Sequence, residues 1–136
     1  MENQEEIEEY HWYDHEIDEF CFSVDVYLDH LHIHLSKEDD DNELYLKKIK
    51  QFFVKEFEFD ASKIFIKSRK QQKGKAQYNQ LQASNQRFIL QGNKRLFYIN
   101  LADYFDSGIF LDHRNARKWV GENSKGKSVL NLFAYT

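Results

Sequence analysis

Proline is absent from these 136 residues, cysteine and methionine occur once each, and there are only five glycines. A single cysteine, Cys21, excludes an internal disulfide and cannot by itself build a thiolate metal site, so it is read as a small buried hydrophobe. Apolar runs extend over only a few residues, which excludes a membrane-spanning helix. The acidic start (Glu2, Glu5, Glu6, Glu8, Glu9) lacks the basic-then-apolar layout of a secretory signal. A soluble, cytoplasmic protein is expected. Bases are nearly missing from the first third of the chain. Met1 to Tyr45 holds 16 acids against one base, Lys37, while Leu46 to Thr136 holds 7 acids against 18 bases, so the net charge of −4 divides into −15 and +11. This asymmetry points to a polyanion as partner of the basic part and leaves the acidic part as a solubilising tail and edge.

Against these absences stand 12 Phe, 8 Tyr and 2 Trp, bulky enough to fill one core in a chain whose length suits one ordinary domain. Residues 1–19 read as an acidic arm laid on the domain, with Tyr10, Trp12, Tyr13 and Ile17 as its anchors. Phe20 to Tyr27 alternates as a strand, and Leu31, Ile33 and Leu35 alternate with His32 and His34 in a second strand joined to it by a hairpin. From Glu43, Tyr45, Ile49, Phe52, Phe53 and Phe57 recur at helical spacing, and Lys63 to Ser68 reads as a strand. Arg69 to Asn85 has no period and reads as a long loop. A second hairpin turns at Gly92-Asn93, with the glycine expected at positive φ. Asp112 to Asn123 follows as a helix stopped by Gly126, and Ser128 to Ala134 as an apolar strand.

Lys63, Lys67, Arg69, Lys70, Lys73 and Lys75 lie within 13 residues that contain no acid, interleaved with Gln71, Gln72, Gln77 and Tyr78. Lysine and arginine neutralise phosphates, glutamine bonds sugar or base edges, and tyrosine stacks. Lys67, Arg69, Lys70, Lys73, Lys75, Gln77 and Tyr78 are therefore the candidate residues for nucleic-acid contact. His30, His32 and His34 alternate, and His11 and His15 stand four apart. Chelation is geometrically possible for both sets, but the histidines are read as the wet face of a half-exposed strand, and no metal is assigned.

The stretch Asn100-Leu-Ala-Asp-Tyr-Phe-Asp-Ser-Gly-Ile-Phe-Leu-Asp-His-Arg114, followed by a helix and then Leu130-Asn-Leu-Phe-Ala-Tyr-Thr136, is the most specific pattern in the chain. It resembles the segment entering the catalytic domain of bacterial 23S rRNA guanine methyltransferases, class I S-adenosylmethionine (SAM) enzymes of the RlmK and RlmKL type. The resemblance continues upstream through Lys67-x-Arg69-x-x-Gln72-Lys-Gly74-x-x-Gln77-Tyr78-x-x-Leu81 and, more faintly, Tyr13-Asp14 to Tyr27. Ala102 departs from it, standing where the family commonly has threonine. The resemblance implies that Phe20 to Leu101 is the small α+β domain that precedes the catalytic fold and helps to hold RNA. It implies that the Ser107 to Arg114 turn lines the methionine end of SAM, with Arg114 near its carboxylate. Val129 to Thr136 becomes the first strand of a doubly wound sheet whose carboxyl end opens onto the cofactor. Phe110, Asp112, Arg114, Asn131, Phe133, Tyr135 and Thr136 are the SAM-contacting candidates on that basis.

The expectation is an α+β protein: a small antiparallel sheet with a packed helix, followed by the first helix and strand of a truncated Rossmann-like methyltransferase domain. Its divisions are 1–19 (acidic arm), 20–103 (RNA-binding domain) and 104–136 (start of the catalytic domain). The expected function is the N-terminal part of a SAM-dependent rRNA methyltransferase, inactive alone. The alternatives are a free-standing RNA-binding module and a structural protein whose C-terminal strand pairs two copies into a homodimer.

Overall fold

The structure, a computed structural model, describes residues 9–36, 43–68, 84–92 and 94–132. Its centre is a four-stranded sheet in the order β1-β2-β3-β4, built from β1 (Glu9–Asp14), β2 (Phe22–Tyr27), β3 (His30–Leu35) and β4 (Ile64–Ser68). The expected hairpin is present: Tyr27 pairs with His30 across a two-residue turn in which Leu28 takes φ 57. Helix α1 (Glu43–Phe57) then carries the chain back along the sheet, so β4 joins β3 in parallel, with Leu31 opposite Ile64 and Ile33 opposite Ile66. The α+β class holds, but the sheet expected to be antiparallel is mixed, because a helical crossover returns a strand in the same direction as the one it left.

The acidic arm supplies an edge strand. β1 pairs with β2 from Glu9 opposite Tyr27 to Asp14 opposite Ser23, with a bulge between His11 and Tyr13. The bulge inserts one residue, so Trp12 and the neighbouring Tyr13 both serve the α1 face, where the Trp12 ring lies 4.9 Å from Phe57 and 5.9 Å from Phe53. This break in alternation is why the strand is hidden in the sequence.

Period two and period 3.6 together build the first core. Val24 and Val26 of β2, Leu31, Ile33 and Leu35 of β3 and Ile64 of β4 pack against Ile49 and Phe53 of α1. Burying each such side chain stabilises by about 1.5–3 kcal/mol. Phe52 and Phe57, expected on the same helix face, stay half exposed.

The opposite face of the sheet is also covered. The antiparallel hairpin of β5 (Phe88–Gly92) and β6 (Arg95–Ile99) and the segment after it bring Leu90, Ile99, Leu101 and Ile109 against Tyr27, with Phe65, Phe88, Phe97 and Leu111 around them. The histidine face is therefore not wet: His32 is 0% exposed, and His30 and His34 are largely covered. In the β5–β6 hairpin Gly92 pairs with Arg95, and among the described residues of the turn it is Lys94 (φ 60), not Gly92, that is left-handed.

A 3-10 turn, Leu111–His113, leads into α2 (Arg114–Asn123), and Gly126 follows at φ 73, the expected stop. Residues 128–132 are not a strand. A strand exists by pairing, and none of the described strands pairs with them; Leu130 and Leu132 are 82% and 79% exposed. Residues 133–136 of the expected strand lie outside the described residues.

Candidate functional site

The segment from Asn100 to Arg114 crosses the histidine-bearing face of the sheet, held there by polar contacts in addition to the buried Leu101 and Ile109. Asn100 Oδ1 accepts from the backbone N–H groups of Ala102 (3.0 Å) and Asp103 (2.7 Å), and its Nδ2 donates to Asp103 Oδ2 at 2.8 Å. A short amide side chain bonding the backbone two and three residues on is what Asn does at turns, and it fixes the bend after β6. Asp103, 1% exposed, receives the N–H and hydroxyl of Ser84 on Oδ1, at 2.8 and 2.6 Å. These hydrogen bonds, first from Ser84 and then from Asn100, hold its carboxyl below the usual carboxylate range.

From the sheet side, the Lys67 ammonium donates to the Ala102 carbonyl, and Lys67 is only 6% exposed. Burial lowers its pKa, opposed by the charge of Asp103. Tyr27 bonds Ser107 through their hydroxyls at 2.9 Å, and burial pushes its phenol well above the ordinary value. Gly108 next to it takes φ 90, a left-handed conformation that favours glycine. Ser107 Oγ also donates to the Ile109 carbonyl at 3.1 Å, closing the turn that the resemblance assigns to the methionine end of SAM.

The far end of the segment is tied to β1. Glu9, 3% exposed, accepts on Oε1 from Arg114 Nε at 3.3 Å and Arg117 Nη2 at 3.2 Å, and its backbone carbonyl receives Arg114 Nη2. Arg117 also donates to the Phe110 carbonyl and stands 5.4 Å from the Phe97 ring centre.

The candidate residues separate on this frame. Arg114 is half buried and engaged with Glu9, while Phe110 (45% exposed) and Asp112 project from the neighbouring turn. Asn131 is exposed, and Phe133, Tyr135 and Thr136 lie outside the described residues. Of the RNA candidates, Lys67 points inward and is a strut under Ala102 rather than part of an exposed basic surface. Arg69, Lys70, Lys73, Lys75, Gln77 and Tyr78 lie outside the described residues. Their flanks are informative: Lys67 before them and Ser84 after them are both bonded to Ala102-Asp103. Sequence reasoning passed over Glu9, Tyr27, Ser84, Asp103 and Arg117. Only the Asn100-x-x-Asp103 spacing carried a local signal, that of a side-chain-capped turn.

Of the SAM candidates, Phe110, Asp112, Arg114 and Asn131 fall within the described residues. An exposed aromatic ring at Phe110, a positive-φ turn at Gly108 and a partly exposed Arg114 side chain are of a chemistry that suits an amino acid-bearing ligand.

Residues 24–136 match the family described as S-adenosylmethionine-dependent methyltransferase. The chain is 41% identical over 138 residues to "Ribosomal RNA large subunit methyltransferase K/L" of Shewanella loihica, covering 98% of this chain and 19% of that relative. It is 39% identical to "Ribosomal RNA large subunit methyltransferase K" of Neisseria meningitidis serogroup B, covering 96% of this chain and 38% of that one. The chain thus spans about a fifth to two fifths of the length of these relatives. A solved Streptococcus mutans structure, assigned as a SAM-dependent methyltransferase, superposes with a TM-score of 0.55 at 20% identity over 86% of this chain and 30% of its own, which supports the fold. With the match running from β2 to the last residue, this chain belongs to the S-adenosylmethionine-dependent methyltransferase family.

Proposed function

We propose that this chain is the RNA-holding part of a cytoplasmic SAM-dependent rRNA methyltransferase, that it supplies one edge of the SAM site, and that it does not transfer a methyl group by itself. Residues 20–103, with β1 added as an edge strand, form the RNA-binding unit, and 104–136 begin the catalytic unit. The observation that carries the reading is the anchoring of both flanks of the basic segment, Lys67 and Ser84, to Ala102-Asp103 of the Asn100 to Arg114 motif. On this reading Arg69, Lys70, Lys73 and Lys75 bind RNA phosphates, with Gln77 and Tyr78 on sugar or base, in a segment whose two flanks are fixed to that motif.

SAM, when bound, supplies the electrophilic methyl group of its sulfonium. The residues here would orient rather than react: Arg114 would meet the amino acid end, Phe110 would offer a ring face, and Asn131, Phe133, Tyr135 and Thr136 are the further candidates for contact with SAM. Asp112, next to the turn, completes the set. Glu9 positions Arg114 from behind and Ser107 fixes the turn. Positioning supplies most of the rate in such transfers, and half a concave site leaves the ligand in water, so SAM affinity of this chain alone is expected at about millimolar, on the order of −4 kcal/mol.

The test pairs calorimetric titration of SAM with radiolabelled methyl transfer to ribosomal RNA, for this chain and for a polypeptide of the length of its relatives. The expected result is salt-dependent RNA binding by both and transfer by the longer one only. Alanine at Arg69, Lys70, Lys73 and Lys75 should flatten the salt dependence by about one unit of slope per lost phosphate contact. An unchanged slope removes the basic segment from the RNA surface, and micromolar SAM binding or turnover by the short chain overturns the division of labour.

A further inference from the structure

We propose that Asp25, His32 and His34 form a divalent transition-metal site, best suited to Zn2+, on the covered face of the sheet, independent of the RNA and SAM reading. Asp25 pairs with His32 across β2 and β3, and His34, two residues on, projects from the same face. One donor atom from each of the three lies within 4.8 Å of the others. His34 Nε2 stands 3.0 Å from His32 Nδ1 and 3.9 Å from Asp25 Oδ2. Tetrahedral Zn2+ with bonds of about 2.0–2.1 Å keeps its donors roughly 3.3 Å apart, between those two separations.

The surroundings point the same way. His32 is fully buried, and its Nδ1 is the ring nitrogen turned to His34 Nε2, so the atom that would ligate is aimed into the cluster. The second carboxylate oxygen of Asp25 is held by His11 Nδ1 at 2.5 Å, which makes His11 a positioning residue for the ligand. The Phe105 ring, from the Asn100 to Arg114 segment, packs over the cluster 5.0 Å from the ring of His34. Lys67, opposite His34 on β4, turns its ammonium to the Ala102 carbonyl; its charge works against a cation without blocking the donors. Two imidazoles and one carboxylate are a poor match for Mg2+ or Ca2+, which take oxygen ligands, and a good one for Zn2+ or Co2+.

The chelator-treated full chain is titrated with Zn2+ by calorimetry, with Co2+ as a coloured probe and Mg2+ as control. The proposal expects one equivalent bound with a dissociation constant on the order of 10 µM or tighter, and ligand-field absorption of Co2+ at low coordination number. It expects a thermal midpoint raised by roughly 10 °C at a hundredfold excess of Zn2+ over that constant, with no effect of Mg2+. His34→Gln and Asp25→Asn, checked for folding by circular dichroism, should weaken Zn2+ by more than about 30-fold, and His11→Ala by about tenfold, while His15→Ala leaves it unchanged. Absence of Zn2+ binding below millimolar concentration by the wild-type chain overturns the proposal even if a variant fails to fold. Binding that survives His34→Gln, or that is lost in His15→Ala, overturns it as well.

Discussion

Replacing Lys67 by methionine separates two roles that a lysine in a basic run can play. In the structure its ammonium is buried and donates to the Ala102 carbonyl. Methionine keeps the length and apolar stem but leaves that carbonyl without its donor. A hydrogen bond from a charged group is worth about 1.5–3 kcal/mol, and relief of the buried charge offsets part of it, so the net loss is about 1–2 kcal/mol. Unfolding entropy for a chain of this size is about 0.3 kcal/mol/K at the midpoint, which converts the loss into a drop of roughly 3–7 °C. The pH dependence has a definite sign. Burial lowers the folded pKa of Lys67 below its ordinary value. Between the two values the unfolded chain binds more protons, wild-type stability rises with pH, and the gap to the variant widens across that alkaline window. Circular dichroism melts from neutral to alkaline pH measure both effects, and RNA titrations against salt measure the other role. The reasoning expects a lower midpoint with an unchanged RNA salt slope. An unchanged midpoint with a slope reduced by about one would place Lys67 on a phosphate and refute its inward placement.

Three further outcomes follow from the same contacts. Glu9→Gln removes the buried charge shared by Arg114 and Arg117; because both arginines can still reach water, the loss is about 2 kcal/mol or roughly 7 °C, and a melt within 1 °C or so of wild type would show the pairing to be idle. Asp103, its pKa lowered by Ser84 and Asn100, confers stability that is present above the ordinary carboxylate value and lost as pH falls through its folded value; Asp103→Asn should therefore flatten the acid limb of the stability curve, read by urea titrations between pH 2 and 6. Deleting residues 128–136 removes the exposed Val129, Leu130 and Leu132 and should abolish any concentration-dependent dimer seen by light scattering while leaving the melt intact; a chain that no longer folds would put this segment in the core.

Periodic elements were legible in the sequence because one residue type repeats on one face. The span of α1 follows from Tyr45, Ile49, Phe53 and Phe57, and that of β3 from Leu31, Ile33 and Leu35. What could not be read depends on partners distant in sequence. β1 is defined by Glu9 meeting Tyr27 and is disguised by its bulge, and the parallel β3–β4 joint is set by where α1 lands. The strand expected over 128–134 had the composition of one, but among the described residues nothing pairs with its first five. In the candidate site, the family motif was visible as a string, whereas its supports were not. Ser84 bonds Asp103 and Glu9 meets Arg114 across 105 positions, and neither leaves a local trace. Lys67 shows the opposite failure: its neighbours suggested a surface role that burial under Ala102 removes.

Both faces of the sheet carry an apolar core, but the polar side chains gather on one of them. The α1 side is apolar and supplies non-directional stability. On the other side lie Glu9, His11, Asp25, Tyr27, His32, His34 and Lys67, and these groups hold or surround the Asn100 to Arg114 segment through bonds with direction. Beside the burial of Leu101 and Ile109, Tyr27 on Ser107, Lys67 on Ala102 and Glu9 on Arg114 each fix a different point along it. Three fixed points determine an orientation. On the proposed reading this is what a domain that presents RNA to a cofactor edge requires, since a displacement of about 1 Å far from the reacting atoms can cost on the order of a hundredfold in rate. The polar face is therefore where a substitution can leave the fold standing and still change how RNA and cofactor meet.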